Sequence, residues 1–262
     1  MGVLLLVNEI IVLNLWQFSL AYLLLIIVLA IMRRCQIKQT KLLFVASLRM
    51  TVQLVLAGLI LTYIFENPHP LFTVAYLVAM TGFAIYTVLS RNRGINRRFK
   101  VIVACSLAAT GLSIVAFFIL AVVGVSLFNP QYTIPISGMI IGNAMTGVGL
   151  GLRAFDENLS AHRGRIAALL SLGVRPQKAL TPLVNRALET ALMPTLHAMI
   201  GMGIVSLPGM MTGQILSGTA PMTSIMYQIA IIIAITAVTS LAAFCSLHFG
   251  YRTLYNKRQQ MV

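Results

Sequence analysis

From Val101 to Phe128 the chain runs for 28 residues without an Asp, Glu, Lys, Arg or His. About 18 apolar residues are enough for a helix to cross the roughly 30 Å hydrocarbon core of a bilayer. No water reaches the backbone there, so a spanning segment must close its own hydrogen bonds as a helix or join a closed barrel. Comparable apolar runs recur at 10–32, 42–65, 70–90, 133–152, 187–207 and 222–249. They are too long for barrel strands. Hydrophobic residues make up 59% of the 262 and charged residues 9%, against roughly 45–50% and 25% in soluble domains. The expectation is an all-α integral membrane protein with about seven transmembrane helices, forming one domain over 1–262. Glu9 precedes the first run, no Lys or Arg does, and no small-x-small site follows, so the reading is a membrane helix rather than a cleaved leader.

Charge placement orients this bundle. Arg33, Arg34, Lys38 and Lys41 follow the first run, and Arg91, Arg93, Arg97, Arg98 and Lys100 follow the third. Arg153, Arg163, Arg165, Arg175, Lys178 and Arg186 follow the fifth, and Arg252, Lys257 and Arg258 the last. Together they are eighteen of the 19 Lys and Arg residues; the intervening connections (the N-terminus, 66–70, 129–132 and 208–221) hold none. Positive loops stay in the cytoplasm. The N-terminus is therefore expected outside and the C-terminus inside, in a multi-pass plasma (inner) membrane protein. The net charge of +14 is then an orientation signal, not a nucleic-acid footprint; 91–100 and the tail could also touch anionic lipid. Cys35, Cys105 and Cys245 are odd in number and near cytoplasmic helix ends, so disulfides are not expected.

The remaining cation is Arg49, inside the second run with Gln53 four residues on, the same face of a helix. An intramembrane arginine marks a transport pathway or snorkels to the interface. In the fifth run Gly138 and Gly142 form a G-x-x-x-G pair that admits a close neighbour, with Asn143 placed to bond across it. Glu189 stands three residues after Arg186, the spacing of an i,i+3 ion pair. His197 lies deeper and reads as a hydrogen-bonding residue between helices.

The stretch Val205–Gly218, VSLPGMMTGQILSG, breaks the pattern. Pro208 should end or kink the sixth helix, and Gly209, Gly213 and Gly218 allow backbone shapes that other residues resist. Thr212, Gln214 and Ser217 can satisfy freed backbone groups. Two readings stay open: an exterior loop dipping into the interface, or a gate in which Met210 and Met211 form an apolar plug. Methionine thioethers suit soft ions better than iron.

Residues 153–186 form the one long connection. Helix formers run from Arg165 to Leu172, Gly173 stops them, and Pro176 opens a second helix. Ile166, Leu169, Leu170 and Leu172 form an apolar stripe, for the membrane surface or for a cytosolic partner.

Arg49-x3-Gln53-Leu54, Pro135-Ile-x-Gly-Met-Ile-x-Gly-Asn-Ala-Met145, Leu172-Gly173 and Val205-Ser-Leu-Pro-Gly-Met-Met-Thr-Gly-Gln214 resemble the FetB-type permeases over nearly the whole chain. These are membrane subunits of ABC transporters implicated in iron export, with plant relatives linked to aluminium tolerance. The resemblance implies a homodimer served by a separate cytosolic ATPase that binds ATP and Mg, with no cofactor in this chain. It implies a pathway or gate at Pro208, Gly209, Met210, Met211, Gln214, Asn143, Arg49 and Gln53. It also implies ATPase coupling through Arg165, Ile166, Leu169, Leu170 and Gly173. Ala167 stands where the coupling loop of ABC importers has Glu, and His197 where FetB relatives have Asn or Asp. The sequence has no G-x-x-x-x-G-K-[ST] loop. An ATPase-free channel or secondary transporter is the alternative, although membrane carboxylates for ion coupling are scarce. An intramembrane enzyme has no visible nucleophile or zinc motif. Cysteines placed at Asn67 and Lys178 should label from opposite sides of sealed cells; labelling of both from outside would exclude the seven-helix arrangement.

Overall fold

The computed structural model describes residues 14–92 and 94–255. Glu9, Arg93, Lys257 and Arg258 lie outside them. The helices are α1 (Leu15–Arg34), α2 (Thr40–Glu66), α3 (Pro70–Arg91), α4 (Arg97–Phe117), α5 (Pro130–Ala161), α6 (Arg163–Ser171), α7 (Pro176–Gly201), α8 (Gly209–Leu216) and α9 (Pro221–Gly250). A π-helical turn (Phe118–Val123) extends α4, and a 3₁₀ turn (Tyr251–Leu254) follows α9. No β-strand occurs among the described residues. Six helices, α1 to α5 and α9, are long and apolar enough to cross a membrane.

The sixth of the seven expected spans, 187–207, has no counterpart among these six, and the helix found there has other bounds. Helix α7 covers Pro176–Gly201, stops before 207 and carries Lys178, Arg186 and Glu189. The 153–186 connection is itself mostly helix. Helix α5 continues to Ala161, so its 32 residues extend about 48 Å and overrun a hydrocarbon core of roughly 30 Å. Past Arg153 it carries an exposed Arg153–Glu157 pair at 3.0 Å.

Two compact units are present. One holds α1, α2 and residues 214–219; the other holds 68–213 and the chain from Ala220 on. In the first, α1 and α2 expose apolar side chains on every side, as helices in lipid do. A hydrogen bond between the Tyr22 and Thr51 hydroxyls ties them together.

The second unit is built on α4, α5, α7 and α9. Small residues set its spacing. A Cβ on Gly147 would clash with the Thr239 side chain and lie 3.1 Å from the Ala191 carbonyl oxygen. One on Gly151 would lie 3.1 Å from Ala191 Cβ and 3.2 Å from the Ala187 carbonyl oxygen. The small-x-x-x-small pairs Gly147/Gly151 and Ala187/Ala191 therefore face each other, which allows close backbone approach without a hydrophobic driving force between helices. The G-x-x-x-G pair expected to do this does not. A Cβ on Gly138 would meet only the end of Met80, at 3.8 Å, and one on Gly142 would meet nothing within 4 Å. At the end rich in basic residues, Gly250 packs against the Phe99 ring, and Phe99 meets Phe155 edge to face at 6.2 Å.

Gly147→Leu should lower the unfolding midpoint of the detergent-solubilised protein, because overpacking a tight contact costs about 1–3 kcal/mol. Gly142→Leu, which meets open space, should leave it nearly unchanged. Equal stability of the two variants would contradict this packing.

Candidate functional site

Contacts fix how α5 and α7 lie. Gly147 and Gly151 meet Ala191 and Ala187 in reversed order, so the helices are antiparallel. Counting about 100° per residue from this contact line, Gly142, Asn143 and Thr146 fall on one flank of α5. Thr190, Pro194 and His197 fall on the flank of α7 that the antiparallel arrangement brings to the same side. Asn143, Thr146, Thr190, Pro194 and His197 are all exposed and Gly142 half-buried. The opposite flanks of both helices are covered: α9 packs on both, and α3 and α4 pack on α5.

This face carries small and hydrogen-bonding groups together with the exposed apolar Leu150, four residues beyond Thr146. Asn143 Nδ2 donates to the Met139 carbonyl at 2.8 Å, and Thr146 Oγ1 to Gly142 at 3.0 Å. Thr190 Oγ1 donates to Arg186 at 2.9 Å. Each donor is used on its own helix, which leaves the Asn143 amide oxygen and the hydroxyl lone pairs as acceptors. Pro194 has no N–H for the Thr190 carbonyl, which adds another. Asn143 thus back-bonds to its own helix rather than across a G-x-x-x-G contact. In hydrocarbon such a face would be costly, so water or protein must cover it. Among the described residues no cluster of three or more His, Cys, Asp or Glu could hold a metal ion. The expected Arg186–Glu189 pair is not formed; the ion pair among the described residues is Arg153–Glu157.

The other expected site residues are elsewhere. Arg49 and Gln53 share one helix, α2, and both are exposed. The break in 205–218 has a different geometry from the one expected. Helix α7 ends at Gly201, seven residues before Pro208, in a turn where the Gly201 carbonyl accepts from Val205 at 3.0 Å and Ser206 at 3.2 Å. Gly203 takes a left-handed φ of 85° there. Pro208 precedes α8, its carbonyl accepting the Thr212 N–H at 2.9 Å and the Thr212 hydroxyl at 3.1 Å. Gly209 and Gly213 are ordinary helical residues of α8. Of the three glycines expected to matter, the one the backbone requires is Gly218, with φ 92°. It ends α8 in a Schellman motif: Gly218 N–H to Ile215 at 3.0 Å and Thr219 N–H to Gln214 at 2.9 Å. Met211 is buried, Met210 half-buried against the core, and the Gln214 side-chain oxygen is buried without a partner.

Helix α6 ends at Gly173 as expected, with φ 79° and the same bond pattern, Gly173 to Leu170 and Val174 to Leu169, both 3.0 Å. Its apolar stripe, however, faces its own chain. Ile166 is 2% exposed and belongs to the core, and Leu170 packs against it. The outward apolar side chain is Leu172, 81% exposed, beside Arg165 and Ala168, also exposed.

The family model described as "Uncharacterised protein family (UPF0014)" matches residues 15–255. The chain belongs to the UPF0014 family. Its UPF0014 relatives include the membrane protein YjkA of Bacillus subtilis, 31% identical over 83% of this chain and 86% of the relative. In Escherichia coli the relative is FetB, described as "Probable iron export permease protein", 32% identical over 82% of each chain. The Arabidopsis thaliana protein ALUMINUM SENSITIVE 3 is 30% identical over 81% of this chain and 77% of its own. No solved structure matches. With six apolar helices of spanning length, this UPF0014 member is an integral multi-pass membrane protein.

Sequence reading found Asn143 on the exposed strip but missed Thr146, Thr190 and Pro194. The available signal was the recurrence of small or hydroxyl residues every three to four positions. Cysteines at Thr146 and Thr190 should react with a water-soluble thiol reagent in native membranes, and one at exposed Ile233 of α9 should not. Inert cysteines at both strip positions would show a dry face.

Proposed function

We propose that this chain is the membrane permease subunit of an ABC transporter, moving a small hydrophilic cargo along the strip shared by α5 and α7. The observation that carries this is the strip itself: neutral acceptors exposed over two packed helices where lipid would be expected. A second copy of the chain, placing its own strip opposite, would complete a polar pathway and remove both from lipid. Iron is the favoured cargo because a relative of similar length is described as an iron export permease. Neutral oxygens and the His197 imidazole are hard to borderline donors that suit iron better than thioethers do. With no fixed carboxylate cluster, they would pass an ion on rather than trap it.

The energy would come from a separate cytosolic ATPase carrying ATP and Mg. The basic ends of the helices are then cytoplasmic, and α6 is the coupling element. Its docking surface is the outward one, Arg165, Ala168 and Leu172, whereas Ile166 anchors the helix to the membrane domain. Helix α8, with Met210 and Met211 turned toward the core, is the movable closure at the other end. Leu172→Asp should place an unpaired charge in the docking contact and abolish transporter-stimulated ATP hydrolysis in proteoliposomes holding both subunits, without loss of membrane insertion. ATP hydrolysis at the normal rate would refute docking at α6.

A further inference from the structure

Several oxygens buried in the second unit have no hydrogen-bond partner, and three of them lie within a layer about one helical turn deep. Thr133 Oγ1 and Ser137 Oγ are on α5, and Gln228 Oε1 is on α9. Thr133 and Ser137 are fully buried and Gln228 is 8% exposed. Native proteins rarely leave such atoms orphaned without a water or ion to serve them. Their register follows from contacts already described. Gly147 of α5 meets Thr239 of α9 and Gly151 meets Leu247, so these two helices run parallel. Ser137 lies ten residues before Gly147 and Gln228 eleven before Thr239, about 15 and 16 Å along their axes. Thr133 and Ser224 likewise fall level with each other, one turn further on.

The C-terminus of α7 arrives at this same layer. From Ala191, level with Gly147, it climbs ten residues to Gly201, again about 15 Å. The contact is direct: Gln228 Nε2 donates to Met202 Sδ at 3.8 Å. The amide nitrogen is thereby engaged and the amide oxygen left over. The end of a helix carries partial negative charge on its last carbonyls. No Lys or Arg occurs in the connections at this end, 129–132 and 208–221.

We propose that this layer binds a monovalent alkali cation of sodium size. Two hydroxyls, one amide oxygen and the end of α7 supply neutral oxygen donors and a negative dipole. Membrane proteins hold Na⁺ with the same groups, hydroxyls beside the carbonyls of an interrupted helix. With no carboxylate among its donors the layer lacks the charge to hold a multiply charged ion tightly; it is enclosed, whereas the cargo strip is exposed, and it does not depend on the ATPase reading. Holding Gln228 fixes Met202 and hence the point at which α7 breaks. The bound cation would set the position of the turn leading to α8.

The test uses the full chain in nanodiscs, with NaCl exchanged for choline chloride at constant ionic strength. The unfolding midpoint of the wild type should rise saturably with Na⁺, as for any ligand that binds only the native state. Gln228→Leu and the milder Ser137→Ala should each flatten that response. Gln228→Glu should tighten apparent Na⁺ affinity tenfold or more and make it dependent on pH, an effect a purely structural glutamine would not produce. If Gln228→Leu fails to fold, Ser137→Ala and Gln228→Glu decide the matter. A wild type with no saturable response overturns the proposal, and so does an unchanged response in Ser137→Ala together with Gln228→Glu.

Discussion

The approach of α5 to α7 and α9 at Gly147 and Gly151 governs the rest of the second unit. Between helices in lipid, burying apolar area gains little, because lipid tails are as apolar as leucine. What remains is van der Waals packing, and it needs backbones close enough for many weak contacts to add up. Gly147 leaves room for the Thr239 side chain and the Ala191 carbonyl, and Gly151 for Ala191 itself. That contact fixes the direction and register of three helices at once. Register then decides which residues of α5 are enclosed, Thr133, Ser137 and Ala144, and which stay outside, Asn143 and Thr146.

From that register comes an outer face poorly suited to lipid. A helix that is apolar on every side over most of its length, as α1 is from Leu23 to Met32, can meet lipid anywhere there. Helices α5 and α7 cannot, because their shared flank carries an amide, two hydroxyls, an imidazole and a carbonyl freed by Pro194. The same helices project from the apolar region at their basic ends, where Arg153, Arg186 and the short α6 lie. A single packed pair thus joins a polar face in the apolar region to the charged ends of the helices.

The break between α7 and α9 illustrates how a local rule and a tertiary constraint divide the work. Proline and glycine at 208, 209, 213 and 218 mark irregularity correctly, but they do not say where the helix stops. It stops at Gly201, because the Gly201 carbonyl finds the Val205 and Ser206 N–H groups and Gln228 of α9 holds Met202. Pro208 then serves its other ordinary role, just ahead of a new helix, and Gly209 and Gly213 need no special conformation. Only Gly203 and Gly218 do within this region, with φ of 85° and 92°.

Membrane residence, the all-helical class and the approximate positions of the six long helices were legible in the sequence. They depend on local length and polarity, and a bilayer admits few alternatives. The stop at Gly173 and the start at Pro176 were legible for the same reason, since capping chemistry acts within one turn. The tertiary structure alone decided which small-residue pair makes the close contact. Gly138/Gly142 and Gly147/Gly151 have identical spacing, and only a partner helix with Ala187 and Ala191 at matching height distinguishes them. It alone decided that Ile166 turns inward while Leu172 turns outward, because an amphipathic stripe records that a helix has an apolar side but not what lies against it.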